Sequence, residues 1–218
     1  MRTRTTTAAA AALTTTAVLL LSACGGGSDS AGNDKIAGAD TGASASASPT
    51  PSASADTIKR PEIKLPGDVK NVFDGGTTGD PVKDAVLADN ERMINSIDEA
   101  VTVDAKDHPA LKFYNKGNAL ISAASYIQSF YDSGTTWTGE TRYFNREVML
   151  KGTTAATMTY CSDETKSYSK DRKTKKVTMS PGDADDYVSY SARMEKNAQG
   201  VWQTTNVTSE RGAKKCQP

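Results

Sequence analysis

Few side chains in this 218-residue sequence could do covalent or proton chemistry, and they are scattered. Three are cysteines: Cys24, Cys161 and Cys216. A thiol can be alkylated, oxidised to a disulfide, or ligate a metal. The one histidine, His108, precedes Pro109 in a break between helical stretches and reads as a solvent-exposed turn residue. Asp163 and Glu164 follow Cys161 at what reads as a strand end, where turn acids are ordinary. Tyr143, Tyr160 and Tyr190 could line a cavity, although aromatic core is the simpler reading of each. No acid alternates into an inward-facing position near the histidine, so general acid–base catalysis lacks a visible pair. No glycine-rich loop follows a strand to cradle a phosphate. Two distant cysteines and one histidine make a poor zinc site. The sequence therefore presents no catalytic, metal or cofactor set.

The one well-formed chemical motif stands near the N-terminus. Arg2 and Arg4 precede an uncharged run, Ala8 to Leu21, that closes on Val18-Leu19-Leu20-Leu21. This is the plan of a secretory signal peptide. The run falls short of the ~20 residues that a spanning helix needs, and Thr14-Thr15-Thr16 interrupts it. Leu21-Ser22-Ala23-Cys24 resembles a bacterial lipobox: an aliphatic residue, two small ones, then cysteine. Such a cysteine receives a diacylglyceryl thioether and becomes the new N-terminus. The small residues let the chain lie extended in a protease groove. Two acyl chains supply the two signals that stable anchoring takes. Residues 1–23 are expected to be removed, leaving Cys24 as a lipid anchor in the cell membrane on its extracytoplasmic face. An ordinary secretory cleavage after Ala23 is the other reading.

Removal of Arg2 and Arg4 takes the 26 basic residues to 24 against 26 acidic ones, a net charge of −2. No nucleic-acid partner is expected of such a chain. If Cys24 carries lipid, Cys161 and Cys216 remain, and an oxidising compartment would pair them. A metal site or a reactive thiol is the alternative.

Residues 24–56 are mostly Gly, Ser, Ala, Thr and Asp, with Pro49 and Pro51, and read as a disordered tether. Residues 57–78, punctuated by Pro61, Pro66, Gly67, Gly75 and Gly76, read as an irregular or extended arm. Asp80-Pro81 is a helix start. Val82, Val86, Met93, Ile97 and Val101 recur at helical spacing, with acids and bases assigned to the solvated face. A short helix from Pro109 and a third from Asn118 to Asp132 follow, the last closed by Ser133-Gly134. Beyond Gly134 the period becomes two. Strands are expected over 137–150, 153–161, 187–195 and 201–208, with an irregularity near Gly139. On the first of these, Tyr143 falls on one face and Phe144, Val148 and Leu150 on the other. Lys170, Arg172, Lys173, Lys175 and Lys176 mark a hairpin tip or frayed strand pair. The fold class is α+β: three N-terminal helices packed on a curved antiparallel sheet of about four to six strands.

Asp80-Pro81, the helix pair from Leu111 to Leu120, the stretch Ala155 to Glu164, Gly200-Val201-Trp202 and Cys216 carry a resemblance. Together they resemble the NTF2-like (cystatin-like cone) superfamily over residues 79–218, closest to lipoproteins of high-GC Gram-positive bacteria and Streptomyces-like in composition. The 57–78 lead-in departs from that pattern. Catalytic members of the superfamily use acids, histidine or tyrosine inside the cone, as in ketosteroid isomerase-like enzymes. With such a scaffold and no reactive set, a non-catalytic domain that binds a small ligand or an envelope protein is expected. An enzyme with an unrecognised cavity acid, or a spacer of the cell envelope, is the alternative.

Overall fold

A computed structural model describes residues 57–218. The signal-peptide, lipobox (Leu21, Ser22, Ala23), Cys24 and tether readings lie outside the described residues. Among the described residues no helix is long and apolar enough to cross a membrane.

Three helices, α1 (Pro81–Thr102), α2 (Pro109–Tyr114) and α3 (Asn118–Asp132), separate strand β1 (Val69–Phe73) from β2 (Thr135–Lys151). Then follow β3 (Ala155–Asp171), β4 (Val177–Thr178), β5 (Tyr187–Lys196) and β6 (Trp202–Arg211). The sheet runs β1-β2-β3-β5-β6, with β4 beside the far end of β3. The α+β architecture expected from the sequence is present.

The helix boundaries follow from their caps. Asp80 Oδ1 accepts the backbone N–H groups of Val82 at 2.8 Å and Lys83 at 3.2 Å, answering two of the donors that a helix start leaves unpaired. Gly134, at φ +67°, closes α3 in the left-handed region, its N–H reaching Tyr131 O at 3.1 Å.

Four expectations need correction. The lead-in is extended, but part of it is a strand: β1 pairs in parallel with Gly139–Tyr143 of β2, so the sheet is not wholly antiparallel. Three intervening helices give the long crossover that parallel pairing requires. The end placed at Cys161 is also not there, since β3 continues to Asp171. The polar stretch expected to be a hairpin tip or frayed strand pair is strand as far as Asp171, paired with β2, and then turns into β4. The helix α1 stripe is not purely apolar: Asp89, Asn90, Ser96 and Asp98 are buried with Val86, Met93 and Val101.

The faces of β2 are the fourth. Glu147 pairs with Thr159 and Phe144 with Cys161, so two residues of β2, Asn145 and Arg146, stand against Tyr160 alone. This is a β-bulge, with Asn145 at φ +49°. The extra residue reverses the alternation. Tyr143, Val148 and Leu150 consequently share the helix-facing core, while Phe144 packs with Cys161 and Cys216 on the opposite face. The expected irregularity at Gly139 is present: φ is +106°, and a Cβ there would lie 2.1 Å from Lys166 O.

The main core packs Val86, Met93, Ile94, Ala110 and Tyr114 of the helices on Met158, Met194 and Trp202 of the sheet. Cys161 and Cys216 are bonded, with Cα atoms 5.6 Å apart, on the other face. That removes the metal-site and free-thiol alternatives for these two residues.

Candidate functional site: a polar-aromatic cavity between helices and sheet

Helix α3 seals the domain loosely. Its only fully buried side chains are Ala119 and Ala123, too small to fill the space beneath them. Between α1, α3 and the helix-facing side of the sheet there remains a cavity of about 640 Å³. That is within the ~300–1,000 Å³ of small-molecule sites.

Each wall has a sequence cause. Along α1, Ile94, Ile97, Asp98 and Val101 share one helical face, so the buried stripe carries Asp98 inward. Along β3, period-two alternation from Met158 through Tyr160 and Ser162 brings Glu164 to the same face as the core. Just beyond it, Lys166 pairs with Glu140 while Asp163 pairs with Arg142, so β3 carries an extra residue around Glu164-Thr165. Asp163 turns away and accepts from the Thr165 backbone N–H at 3.0 Å and hydroxyl at 2.7 Å. Glu164 lines the cavity and Asp163 does not. The sequence reading of the pair as turn acids is therefore corrected: both lie within a strand, and the bulge separates their roles.

A row of rings crosses the sheet below. Phe73 stacks on Tyr143 at 5.0 Å between centroids, Tyr143 meets Tyr160 edge-on at 6.1 Å, and Tyr160 stacks on Tyr190 at 4.8 Å. Tyr160 and Tyr190 are directly opposed cross-strand partners. Tyr143, Tyr160 and Tyr190 serve both readings at once: they are packed core residues and they line the cavity. Burial pushes the Tyr143, Tyr160 and Tyr190 phenols well above their usual range, so they stay neutral hydrogen-bonding groups.

Two carboxyls face this space with different surroundings. Glu164 Oε2 lies 2.8 Å from Arg211 Nη2, and Oε1 accepts from Ser162 Oγ at 3.0 Å and the Tyr190 hydroxyl at 3.4 Å. Asp98 is 7% exposed. Asn71 Nδ2 donates to its Oδ2 at 2.7 Å. Burial raises the Asp98 carboxyl to about 7, the Asn71 amide opposes that, the Glu164 charge adds to it, and the Trp137 indole pulls it back. Sequence reading missed Asp98 because acids on α1 were all assigned to solvent. The signal was present: Asp98 is four residues after Ile94 and three before Val101, on the buried stripe.

The other flagged residues lie elsewhere. His108 stands at the N-cap position of α2, without a side-chain capping bond, and is not solvent-exposed: its side chain is 15% accessible, with Nδ1 3.9 Å from Glu99 Oε2. The basic cluster is divided at the β3–β4 hairpin. Lys170 Nζ lies 2.6 Å from Asp68, and the Arg172 guanidinium lies over the Tyr131 ring at 3.9 Å. Lys173, Lys175 and Lys176 stay exposed at the tip.

No family model matches this sequence, and no curated protein does. Solved structures share a similar outline. A ketosteroid isomerase-like protein from Erwinia carotovora atroseptica is 16% identical over 58% of this chain and 93% of that chain, with a TM-score of 0.39. A putative ketosteroid isomerase from Shewanella frigidimarina is 15% identical over 59% and 97%, with a TM-score of 0.35. The intermembrane space region of the chloroplast protein ARC6 is 13% identical over 59% and 97%, with a TM-score of 0.39. Likenesses of this degree assign neither activity nor ligand. The chain's own geometry defines the class: an α+β domain in which three helices cover one face of a six-stranded sheet around a ligand-sized cavity.

Proposed function

We propose that this chain is exported, anchored by lipid on Cys24 to the extracytoplasmic face of the cell membrane, and that its NTF2-like cone binds a small ligand without transforming it. The observation that carries the ligand reading is the cavity of about 640 Å³, walled by aromatic rings and two carboxyls. A plugged cone would favour protein contacts instead. The anchor reading is carried by Leu21-Ser22-Ala23-Cys24 at the end of an uncharged run. Native mass spectrometry of the chain extracted from membranes tests the ligand reading. A co-purified small molecule that Ala123→Phe removes is the expected result, since Ala123 sits in the cavity wall. The same preparation tests the anchor: Cys24→Ser should move the chain to the soluble fraction and remove the lipid mass.

One observation favours a second reading, in which the domain is an acid–base enzyme. The Asp98 carboxyl is held at about 7, where a group both gives and takes protons at neutral pH. Compounds found to bind would then be turned over, and Asp98→Asn would abolish turnover while leaving binding measurable. Binding without turnover supports the first reading.

A further inference from the structure

Asp98 forms no ion pair with any Lys, Arg or His among the described residues, although it is almost wholly buried. Its side-chain partners, the Asn71 amide and the Trp137 indole, are neutral donors. The second carboxyl in the cavity, Glu164, is already answered by Arg211 at 2.8 Å. The cavity thus holds one neutralised acid and one whose charge lacks a counter-ion, an arrangement that an anionic ligand would worsen and a cationic one would relieve.

The rest of the wall suits the same charge. Seven of the aromatic residues line the cavity, half of the chain's total of Phe 4, Trp 2 and Tyr 8. They come from α3, β2, β3 and β5, so rings stand on several sides of the space rather than on one. Aromatic faces carry negative quadrupole density and attract ammonium groups, most strongly where water is excluded. Tyr126 on α3 is both part of this wall and 49% exposed, which places an aromatic ring where the cavity meets solvent.

We propose that the cavity takes an organic cation, an amine or quaternary ammonium group seated against Asp98 and ringed by Tyr126, Tyr143, Tyr160 and Tyr190. This rests on the ligand-binding reading above and adds the chemical class of the ligand. The cation supplies the charge that the fold leaves out beside Asp98, and the remaining apolar wall from Ile94, Ile97 and Val207 covers the hydrocarbon part. The groups facing Asp98 across the cavity are Glu164 with Arg211, the phenols of Tyr126, Tyr143, Tyr160 and Tyr190, and Asn71 from β1. Arg211 is held by Glu164, so the negative charge at Asp98 dominates the field at its end of the space.

The test is calorimetric titration of the full-length chain with benzyltrimethylammonium and with its neutral carbon isostere, neopentylbenzene, at pH 8. The cation is expected to bind at least about tenfold more tightly than the isostere, a difference within the range of desolvated cation–π and charge pairing. Asp98→Asn should remove that preference, so that the two probes bind alike. If the variant does not fold, a pH series on the native chain serves: the preference should fall between pH 8 and pH 5.5 as Asp98 is protonated. Equal binding of the two probes overturns the cation assignment but leaves the cavity a ligand site. Binding of neither probe overturns both.

Discussion

Asn71 Nδ2 of β1 donates to Asp98 Oδ2 of α1 at 2.7 Å, joining the lead-in strand to the buried acid of the cavity. The lead-in therefore does more than extend from the domain: it tunes a group inside it. Removing this donor, as in Asn71→Ala, should raise the Asp98 carboxyl further. Carboxyl-detected NMR titration would check this, and an unchanged or lower midpoint would contradict the role given to Asn71.

Asp98 also sets a pH dependence of opposite sign to an ordinary ion-paired acid. Its carboxyl rises from 3.8 to about 7 on folding, so between those limits the native state binds more protons than the unfolded one. Its contribution is greatest below about pH 4, falls as pH rises towards 7, and is level above that. The span is at most about 4 kcal/mol at 1.36 kcal/mol per unit. Acids whose carboxyls are lowered, such as Asp68 beside Lys170, act in the reverse sense. Comparing the chain with Asp98→Asn by urea unfolding at pH 5 and pH 8 isolates the term: the variant should gain stability relative to the parent at pH 8.

Asp89 is the fold's other buried acid, and it is fully answered. Its Oδ1 lies 2.6 Å from Arg60 Nη1 and 3.0 Å from Arg92 Nη1, while Oδ2 accepts the Trp202 backbone N–H at 2.9 Å. One carboxylate thus ties the lead-in and α1 to the start of β6. Asp89→Ala should cost about 3–5 kcal/mol, because it leaves buried donors without an acceptor. A loss below about 1 kcal/mol in thermal or urea unfolding would contradict that account.

The bulge that reverses β2 depends on Asn145 at φ +49°, a conformation that asparagine and glycine tolerate better than branched residues. Asn145→Gly should be nearly neutral. Asn145→Val should cost about 1–2 kcal/mol and loosen the packing of Val148 and Leu150 beyond it.

The Cys161–Cys216 bond encloses a separation of 55 residues and lies buried beside Ala213 and Phe144. Cys216→Ser should cost roughly 4 kcal/mol in the chain-entropy picture and free the segment after β6. Hydrogen exchange at Lys214–Cys216, where a short 3₁₀ turn forms, should rise.

Much of this fold was legible because its signals are local. Asp80-Pro81 caps its own helix, Gly134 ends its own, and the 3.6 and 2.0 periods divide the chain at the right place. The pairing of Cys161 with Cys216 is expected from their number and from the expectation of an oxidising compartment, and the bond is present. Most of the misreadings are non-local. Val69–Phe73 stands between Pro66-Gly67 and Gly75-Gly76, which argue for an irregular arm, and its parallel partner is reached only after three helices. The polar half of β3 carries no period-two signal of its own, so the sequence sets the strand's end at Cys161 although β2 pairs with it to Asp171. The Asn145 bulge exchanges the faces of Phe144 and Val148, which no strict alternation can anticipate. The cavity was hidden for a related reason. Asp98 and Glu164 sit at the right periods to face inward, but polarity argued for solvent, and only the small side chains Ala119 and Ala123 of α3 leave room for them.

The cavity beneath α3 can be filled from its own wall. The neutral dye N-phenyl-1-naphthylamine should bind the native full-length chain saturably at one site, with enhanced fluorescence. Ala123→Trp should abolish that binding without lowering the unfolding temperature, because the new ring occupies space the fold leaves open. Absence of saturable binding to the parent chain, or binding unaffected by Ala123→Trp, would contradict the ligand site.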